Sequence, residues 1–257
     1  MNNPDPWNHL RSLTAARIAL GRSGGSLPTR ERLDFQLAHA RARDAVLAPF
    51  DAEELGARLR KCPQPVMVAH SAARNRAEYL RRPDLGRALL PESRATIAEY
   101  AAHSAACDLV IIVSDGLSAH AAVTQCEPLL AAFLPMAGAS GWSLAPVIVA
   151  RHARVALQDE IGALLKARVS LILLGERPGL GSADSLGAYF THGPFKTRTD
   201  ADRNCVSNIR EGGISTADAA RKLHYLIGKS LALGISGVRL KDESPALSAG
   251  PRPGELE

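Results

Sequence analysis

The sequence is short of aromatic residues, cysteines and long apolar runs. Phe, Tyr and Trp make up 4% of its 257 residues, too few for the stacking surfaces that bind single-stranded nucleic acid. No apolar run approaches the roughly 20 residues that cross a bilayer, and residues 1–7 lack the basic start and apolar core of a signal peptide. The four cysteines are scattered, without CxxC or metal-ligand spacing. We therefore expect a cytoplasmic protein with reduced thiols and no membrane contact.

Motifs for nucleotide binding, metal binding and nucleophilic catalysis are missing as well. No GxGxxG follows a predicted strand, and Lys229 in GKS lies inside a predicted helix instead of a phosphate-binding loop. Ser118 and His120 in SDGLSAH do not match GxSxG. The eight histidines include no HExxH, and we expect each to lie at the surface or to contact a partner. The sequence thus predicts no catalytic residue and no metal ligand in this chain.

Charge and hydrophobicity set the broad class. The 31 Lys and Arg and 26 Asp and Glu give a net charge of +5, but both signs are mixed along the chain, which favours a solvated surface over a nucleic-acid interface. With 46% hydrophobic residues, the chain can bury one sizeable core. We predict a helical N-terminal segment at 1–60, a Rossmann-like domain at 61–241 and a disordered, proline-containing tail at 242–257.

Short apolar runs alternate with helical patterns through the middle of the chain. Runs at 66–69, 109–113, 146–150 and 169–174 are bounded by turn residues, as expected of strands buried on both faces. Helices are predicted at 9–20, 29–47 with Thr29 as cap, 91–106, 157–165 and 215–233. Pro128 is expected to split the helix after Ser118, and another helix is expected to begin near Ser182. Residues 188–191 are a candidate extra strand, and 204–209 are too few to classify. The pattern predicts an α/β fold: a Rossmann-like parallel sheet with helices on both faces, preceded by an N-terminal helical segment.

Carboxylates follow two of these strands. Asp115 ends the 109–113 run, Glu176 ends the 169–174 run, and residues 151–155 follow a third strand. Because carboxyl ends of parallel strands meet at one edge, where open α/β sheets bind ligands, we expect these segments to lie together. Two interpretations of Glu176 stay open: it contacts a ligand, or it pairs with Arg177 or another surface cation.

Three segments together carry a family resemblance: SDGLSAHA at 114–121, LLGERPGLGSADSLG at 173–187 and DADRNCVSNI at 200–209. They resemble the small subunit of ethanolamine ammonia-lyase, and the N-terminal ARIALGRSGGSLPT and FQLAHARARDAV segments fit as well. The resemblance implies a cobalamin-binding subunit of a hetero-oligomer that converts ethanolamine to acetaldehyde and ammonia. It also implies a TIM-barrel large subunit that holds the substrate and the radical chemistry, while this chain positions adenosylcobalamin and encloses one side of it.

Carried over by motif, the family's cobalamin contacts fall on Val155 in RVALQDEIG, Glu176 in GERPGLG and Cys205 in DRNCVSNI. The chain lacks the DxHxxG motif with which many cobalamin proteins replace the cofactor's benzimidazole, so the cofactor is expected to stay base-on. Some family members carry a long N-terminal extension associated with bacterial microcompartments. Here the resemblance begins near Leu10, which leaves encapsulation open.

Two other function classes fit the residues without the resemblance. One is a self-sufficient small-molecule enzyme that binds a nucleotide cofactor at the carboxyl edge of the sheet. The other is a structural interaction module. Cobalamin absorbance in the presence of a large subunit would separate all three.

Overall fold

The apolar runs of the sequence form the strands of one six-stranded sheet, in the order β1-β3-β2-β4-β5-β6. The computed structural model describes residues 5–14 and 16–244. Strands β1 to β4 are parallel, whereas β5 and β6 are antiparallel. Their bounds are Val66–His70, Cys107–Ser114, Val147–Arg151, Ala167–Gly175, Leu186–His192 and Arg203–Ile209 for β1 to β6. The predicted α/β class is confirmed, and the two segments left undecided form the antiparallel edge.

Helices cover both faces of the sheet, as predicted. Along β2, Leu109, Ile111 and Val113 face one core, and Val110 and Ile112 face the other, because side chains alternate along a strand. The helices α1 to α7 span Thr29–Leu47, Ala52–Leu59, Arg76–Arg81, Pro91–Ala102, Ala119–Ala139, Leu157–Leu164 and Thr216–Leu233. Helices α2, α5 and α7 pack on the first face, and α4 and α6 on the second.

The N-terminal segment is only partly as predicted. α1 has the expected bounds, but Pro28, not Thr29, stands at its N-cap, and Ala45 is its single buried residue. The helix expected at 9–20 is wrong: the chain makes a single 3₁₀ turn, Asn8–Ser12, with no buried residue. Ala19 has φ of +52°, a left-handed conformation that a right-handed helix cannot contain.

Pro128 does not split α5. The helix continues through Pro128 and Pro135, although each proline lacks an N–H for the helical ladder. Cys126, Leu129 and Phe133 are buried on this helix within the larger core. We infer that this apolar packing offsets the lost hydrogen bonds and keeps the helix in one piece.

No helix begins near Ser182, so that prediction is wrong. Gly179 N–H donates to Ser182 O at 3.1 Å, and Glu176 N–H donates to Ser185 O at 2.9 Å, which folds 176–185 into a closed loop. The chain then runs directly into β5, paired antiparallel with β4 through Gly175 and Leu186. An immediate return along β4 leaves no space for a crossover helix.

The C-terminal helix is capped at both ends as predicted. Ser215 accepts a hydrogen bond from Asp218 N–H at 3.1 Å, and Gly234 adopts φ of +70° after the last turn. Of the predicted tail, only 242–244 lie among the described residues, where Asp242 pairs with Lys222 at 2.6 Å. Among the described residues, no helix combines the length and apolar character needed to cross a membrane.

Candidate functional site

The carboxyl ends of β2 and β4 interlock through two glycines. A Cβ on Gly116 would lie 2.3 Å from Gly175 O, and a Cβ on Gly175 would lie 2.0 Å from Ser118 O. Gly116 also has φ of +50°, and the next N–H, that of Leu117, donates to Gly175 O at 2.8 Å. Only residues without a side chain allow this close approach. The two loops therefore form one rigid floor at the edge of the sheet.

A cavity of about 500 Å³ opens above this floor. It draws its walls from the ends of β2, β3 and β4, from α3 and from β5, which are distant in sequence. Its lining residues are Tyr79, Gly116, Leu117, Ala153, Arg154, Val155, Leu174, Gly175, Glu176, Arg177 and Tyr189. The expectation that Glu176 and the 151–155 region meet at one edge is confirmed.

Glu176 is anchored by one of its two carboxylate oxygens. Its Oε2 accepts hydrogen bonds from Ser185 Oγ at 2.5 Å and from Asn208 N–H at 3.2 Å. Its Oε1 lies where a Cβ on Gly187 would come within 2.9 Å. Within the described part of the chain, this oxygen accepts no hydrogen bond, and Glu176 forms no ion pair with Arg177 or any other cation. In this part of the chain, Glu176 therefore does not form the surface ion pair that one interpretation of the sequence expected.

Val155 and Cys205 are placed differently with respect to the cavity. Val155 is half-buried in the turn between β3 and α6, where it packs against the α4 and α6 core. Cys205 is exposed on β6 and does not line the cavity, but it pairs across strands with Tyr189, which does. Two of the three predicted residues therefore line the cavity, and the third is the strand neighbour of a lining residue.

The Cys205 thiol is held in its protonated form. Although Cys205 is exposed as a residue, the protein atoms around its sulfur displace solvent and raise the pKa of the thiol to about 11, and the Glu176 charge raises it further against the lowering effect of the Tyr189 hydroxyl. Burial also raises the pKa of Tyr189. A neutral thiol beside a neutral phenol makes this side of the site a packing surface, not a nucleophile.

A buried ionic cluster behind the cavity was missed by sequence reasoning. Asp115 is 1% exposed, and its Oδ2 lies 3.0 Å from His152 Nδ1 and 2.8 Å from Arg76 Nη1. Arg76 also donates to Gly116 O at 2.7 Å and to Val46 O at 2.7 Å, which joins the end of α1 to the floor. The expectation that every histidine lies at the surface is wrong for His152, which is 6% exposed.

Tyr79 separates this cluster from the cavity. Its ring stacks on His152 with centroids 5.6 Å apart, and its hydroxyl donates to Ala153 O at 3.1 Å. Burial raises its pKa to about 12. The place of Asp115 after a strand indicated a site residue, but no sequence motif pointed to Arg76 and Tyr79, which both lie in the short helix α3.

Other residues considered for chemistry have structural roles. Ser118 caps α5, with its Oγ accepting from Ala121 N–H at 3.2 Å and donating to Ala183 O at 2.7 Å. Lys229 lies in the interior of α7. Across residues 5–14 and 16–244, no three His, Cys, Asp or Glu side chains converge as metal ligands.

Sequence comparisons give a consistent result. Residues 4–241 match the family model described as ethanolamine ammonia-lyase light chain. Proteins named ethanolamine ammonia-lyase small subunit are 52% identical in Pseudomonas fluorescens, over 93% of this chain and 88% of the relative. In Pseudomonas paraeruginosa the identity is 52%, over 98% and 94%. In Azotobacter vinelandii it is 51%, over 98% and 95%.

Proposed function

This chain belongs to the ethanolamine ammonia-lyase light-chain family, and we propose from this that it is the cobalamin-holding small subunit of an adenosylcobalamin-dependent ethanolamine ammonia-lyase. The enzyme would convert ethanolamine to acetaldehyde and ammonia as a hetero-oligomer. A large subunit with a TIM barrel would hold the substrate and would face the carboxyl edge of this chain's sheet. We place this enzyme in the cytoplasm and leave encapsulation in a bacterial microcompartment open.

The observation that carries this proposal is the placement of Val155, Glu176 and Cys205 in and beside one cavity. The family motifs that contain them are far apart in sequence, yet two of the residues line one cavity and the third borders its wall. Such a cavity at the carboxyl edge of an open α/β sheet is where ligands of this fold bind. The resemblance alone names three separate residues of the sequence. Their arrangement in the fold supports a single cofactor site.

The cavity fits part of a corrinoid. About 500 Å³ is within the range of pockets for drug-sized ligands, and a cobalamin is several times larger than such a ligand. A Cβ on Gly187 would lie 2.8 Å from the Tyr189 ring, so glycine is needed where β5 passes the cavity wall. We infer that one part of the cofactor enters the cavity and that the remainder lies over the exposed face beside Cys205, to be covered by the partner.

The residues of this chain hold and orient, and they do not react. Glu176 offers its free Oε1 to hydroxyl or amide donors, Val155 supplies apolar contact, and the protonated Cys205 packs against the rim. When bound, adenosylcobalamin supplies radical chemistry through cobalt–carbon homolysis. We propose that the cofactor stays base-on, because the sequence has no DxHxxG motif and because His152, the buried histidine behind the cavity, is engaged by Asp115 and stacked on Tyr79.

Absorbance titration tests the proposal. Cyanocobalamin is added to this chain, to the large subunit and to their mixture, and bound corrinoid is measured after gel filtration. We expect stoichiometric corrinoid only with the mixture. A mixed complex without corrinoid would favour an interaction module, and nucleotide-dependent turnover by this chain alone would favour the self-sufficient enzyme.

A further inference from the structure

One cation on the cavity wall has no counter-ion in the described part of the chain. Arg154 lines the cavity, yet none of the described carboxylates lies within ion-pair distance of it. Its neighbour Arg76 is paired with Asp115. Of the five guanidinium N–H groups of Arg154, one is satisfied within the described residues, by donation from Nη2 to Tyr79 O at 3.2 Å. Its Nε is buried and finds no hydrogen-bond partner among residues 5–14 and 16–244. An unsatisfied buried donor on a charged group is costly and calls for a ligand.

The Arg154 guanidinium is held firmly in place. It stacks over the Tyr79 ring at 4.2 Å from the centroid, a favourable cation–π distance. Its backbone N–H donates to Gly86 O at 2.7 Å, and a Cβ on Gly86 would lie 2.8 Å from Arg154 Cγ. The arginine stem therefore fills a space that only glycine leaves open. A charge fixed in this way is prepared for an anion and loses little entropy on binding one.

We propose that Arg154 binds the phosphodiester of the nucleotide tail of cobalamin. This inference rests on the function proposed above. The side chains of the corrin ring end in neutral amides, whereas the tail carries a phosphate, and a guanidinium matches phosphate oxygens in charge and in planar geometry. The anionic Glu176 in the same cavity repels a phosphate, so the tail lies on the Tyr79 side and the amides or hydroxyls lie on the Glu176 side.

The test measures the Kd of two corrinoids for the wild-type protein and for two variants of Arg154. Each protein is used as the complex reconstituted from this chain and the large subunit. Cyanocobalamin carries the phosphate, and dicyanocobinamide keeps the corrin ring but lacks the nucleotide tail. For Arg154→Gln we expect the Kd of cyanocobalamin to rise by about tenfold to a hundredfold, the usual effect of losing a hydrogen bond to a charged group. The Kd of dicyanocobinamide should change less than about twofold. Arg154→Lys keeps the positive charge but not the planar, two-pronged guanidinium, so it should retain part of the affinity for cyanocobalamin that Arg154→Gln loses.

Arg221→Gln is the matched control, because Arg221 is a solvent-exposed arginine on α7 that does not line the cavity. Its effect on either corrinoid should be small, since solvent and salt screen an exposed charge. Circular dichroism establishes that each variant is folded. Equal losses for both corrinoids in Arg154→Gln would show that Arg154 only supports Tyr79, and would overturn the inference alone. A wild-type complex that binds neither corrinoid would overturn the proposed function and the inference with it.

Discussion

Replacing Glu176 by glutamine distinguishes the roles of its two carboxylate oxygens. Glutamine has the same size, and its carbonyl oxygen can take over the hydrogen bonds from Ser185 Oγ and Asn208 N–H that now end at Oε2. Its NH₂ group then stands where Oε1 was. The loop is retained, but an acceptor facing the cavity becomes a donor and the negative charge is lost.

The expected loss follows from that exchange. A hydrogen bond to a charged group contributes about 1.5–3 kcal/mol, so the Kd for cyanocobalamin should rise by about tenfold to about a hundredfold. Turnover of ethanolamine at saturating cofactor should fall less, because the proposed substrate site is on the large subunit. The measurement is a cobalamin titration of the reconstituted complex.

Two control variants make the result specific. Ser185→Ala removes one of the bonds at Oε2 but leaves Oε1 unchanged, and should weaken binding less than Glu176→Gln. Glu127→Gln removes a surface carboxylate that pairs with Arg58 on the far face of the sheet, and should change nothing. Equal dissociation constants for wild type and Glu176→Gln, with intact complexes by size-exclusion chromatography, would refute the argument and leave Glu176 as a loop anchor.

Four further outcomes are expected. The purified chain alone should not deaminate ethanolamine and should gain activity with the large subunit; turnover in isolation would contradict the division of roles. Base-on binding predicts benzimidazole nitrogen splitting in the Co(II) EPR spectrum, unchanged when protein histidine carries nitrogen-15. Because the pKa of Cys205 is raised to about 11, a smaller fraction of this thiol is ionised at pH 8 in the folded chain than in the unfolded chain. Iodoacetamide should therefore alkylate Cys205 at least about tenfold more slowly in the folded chain than in urea, as measured by mass spectrometry. Arg203→Ala leaves the Asp159 carboxylate buried, with 3% of that side chain exposed, and should lower the free energy of unfolding by about 3–5 kcal/mol in urea titrations, whereas Arg82→Ala should have little effect.

The sheet could be predicted because its signals are local. Each parallel strand is a short apolar run ended by turn residues, and β4, from Ala167 to Gly175, is the clearest example. The failures occur where distant packing overrides local preference. Pro128 is tolerated because its helix is anchored by Leu129 and Phe133, and Ser182 does not start a helix because β5 pairs with β4.

The site was predictable only in part, for the same reason. Glu176 follows a strand, so its position at the sheet edge could be derived from residue order. The partners of Asp115 could not, since Arg76 and His152 lie far from it in the chain and on opposite sides of it. Arg154 opens the RVALQDEIG motif but was not itself predicted as a site residue, and its lack of a counter-ion among the described residues is visible only when the cavity is assembled.

The strand order also affects when the protein can acquire its ligand during synthesis. β1 pairs only with β3, and β2 is inserted between β3 and β4, so no early hairpin can form from neighbouring parallel strands. The cavity wall is complete only once Tyr189 is in place, and Cys205 follows on the last strand. Contacts so distant in sequence form slowly. A ribosome-bound chain that ends before β5 should therefore capture no corrinoid even when the large subunit is present, and cofactor loading should follow release of the folded subunit and its assembly with the large subunit.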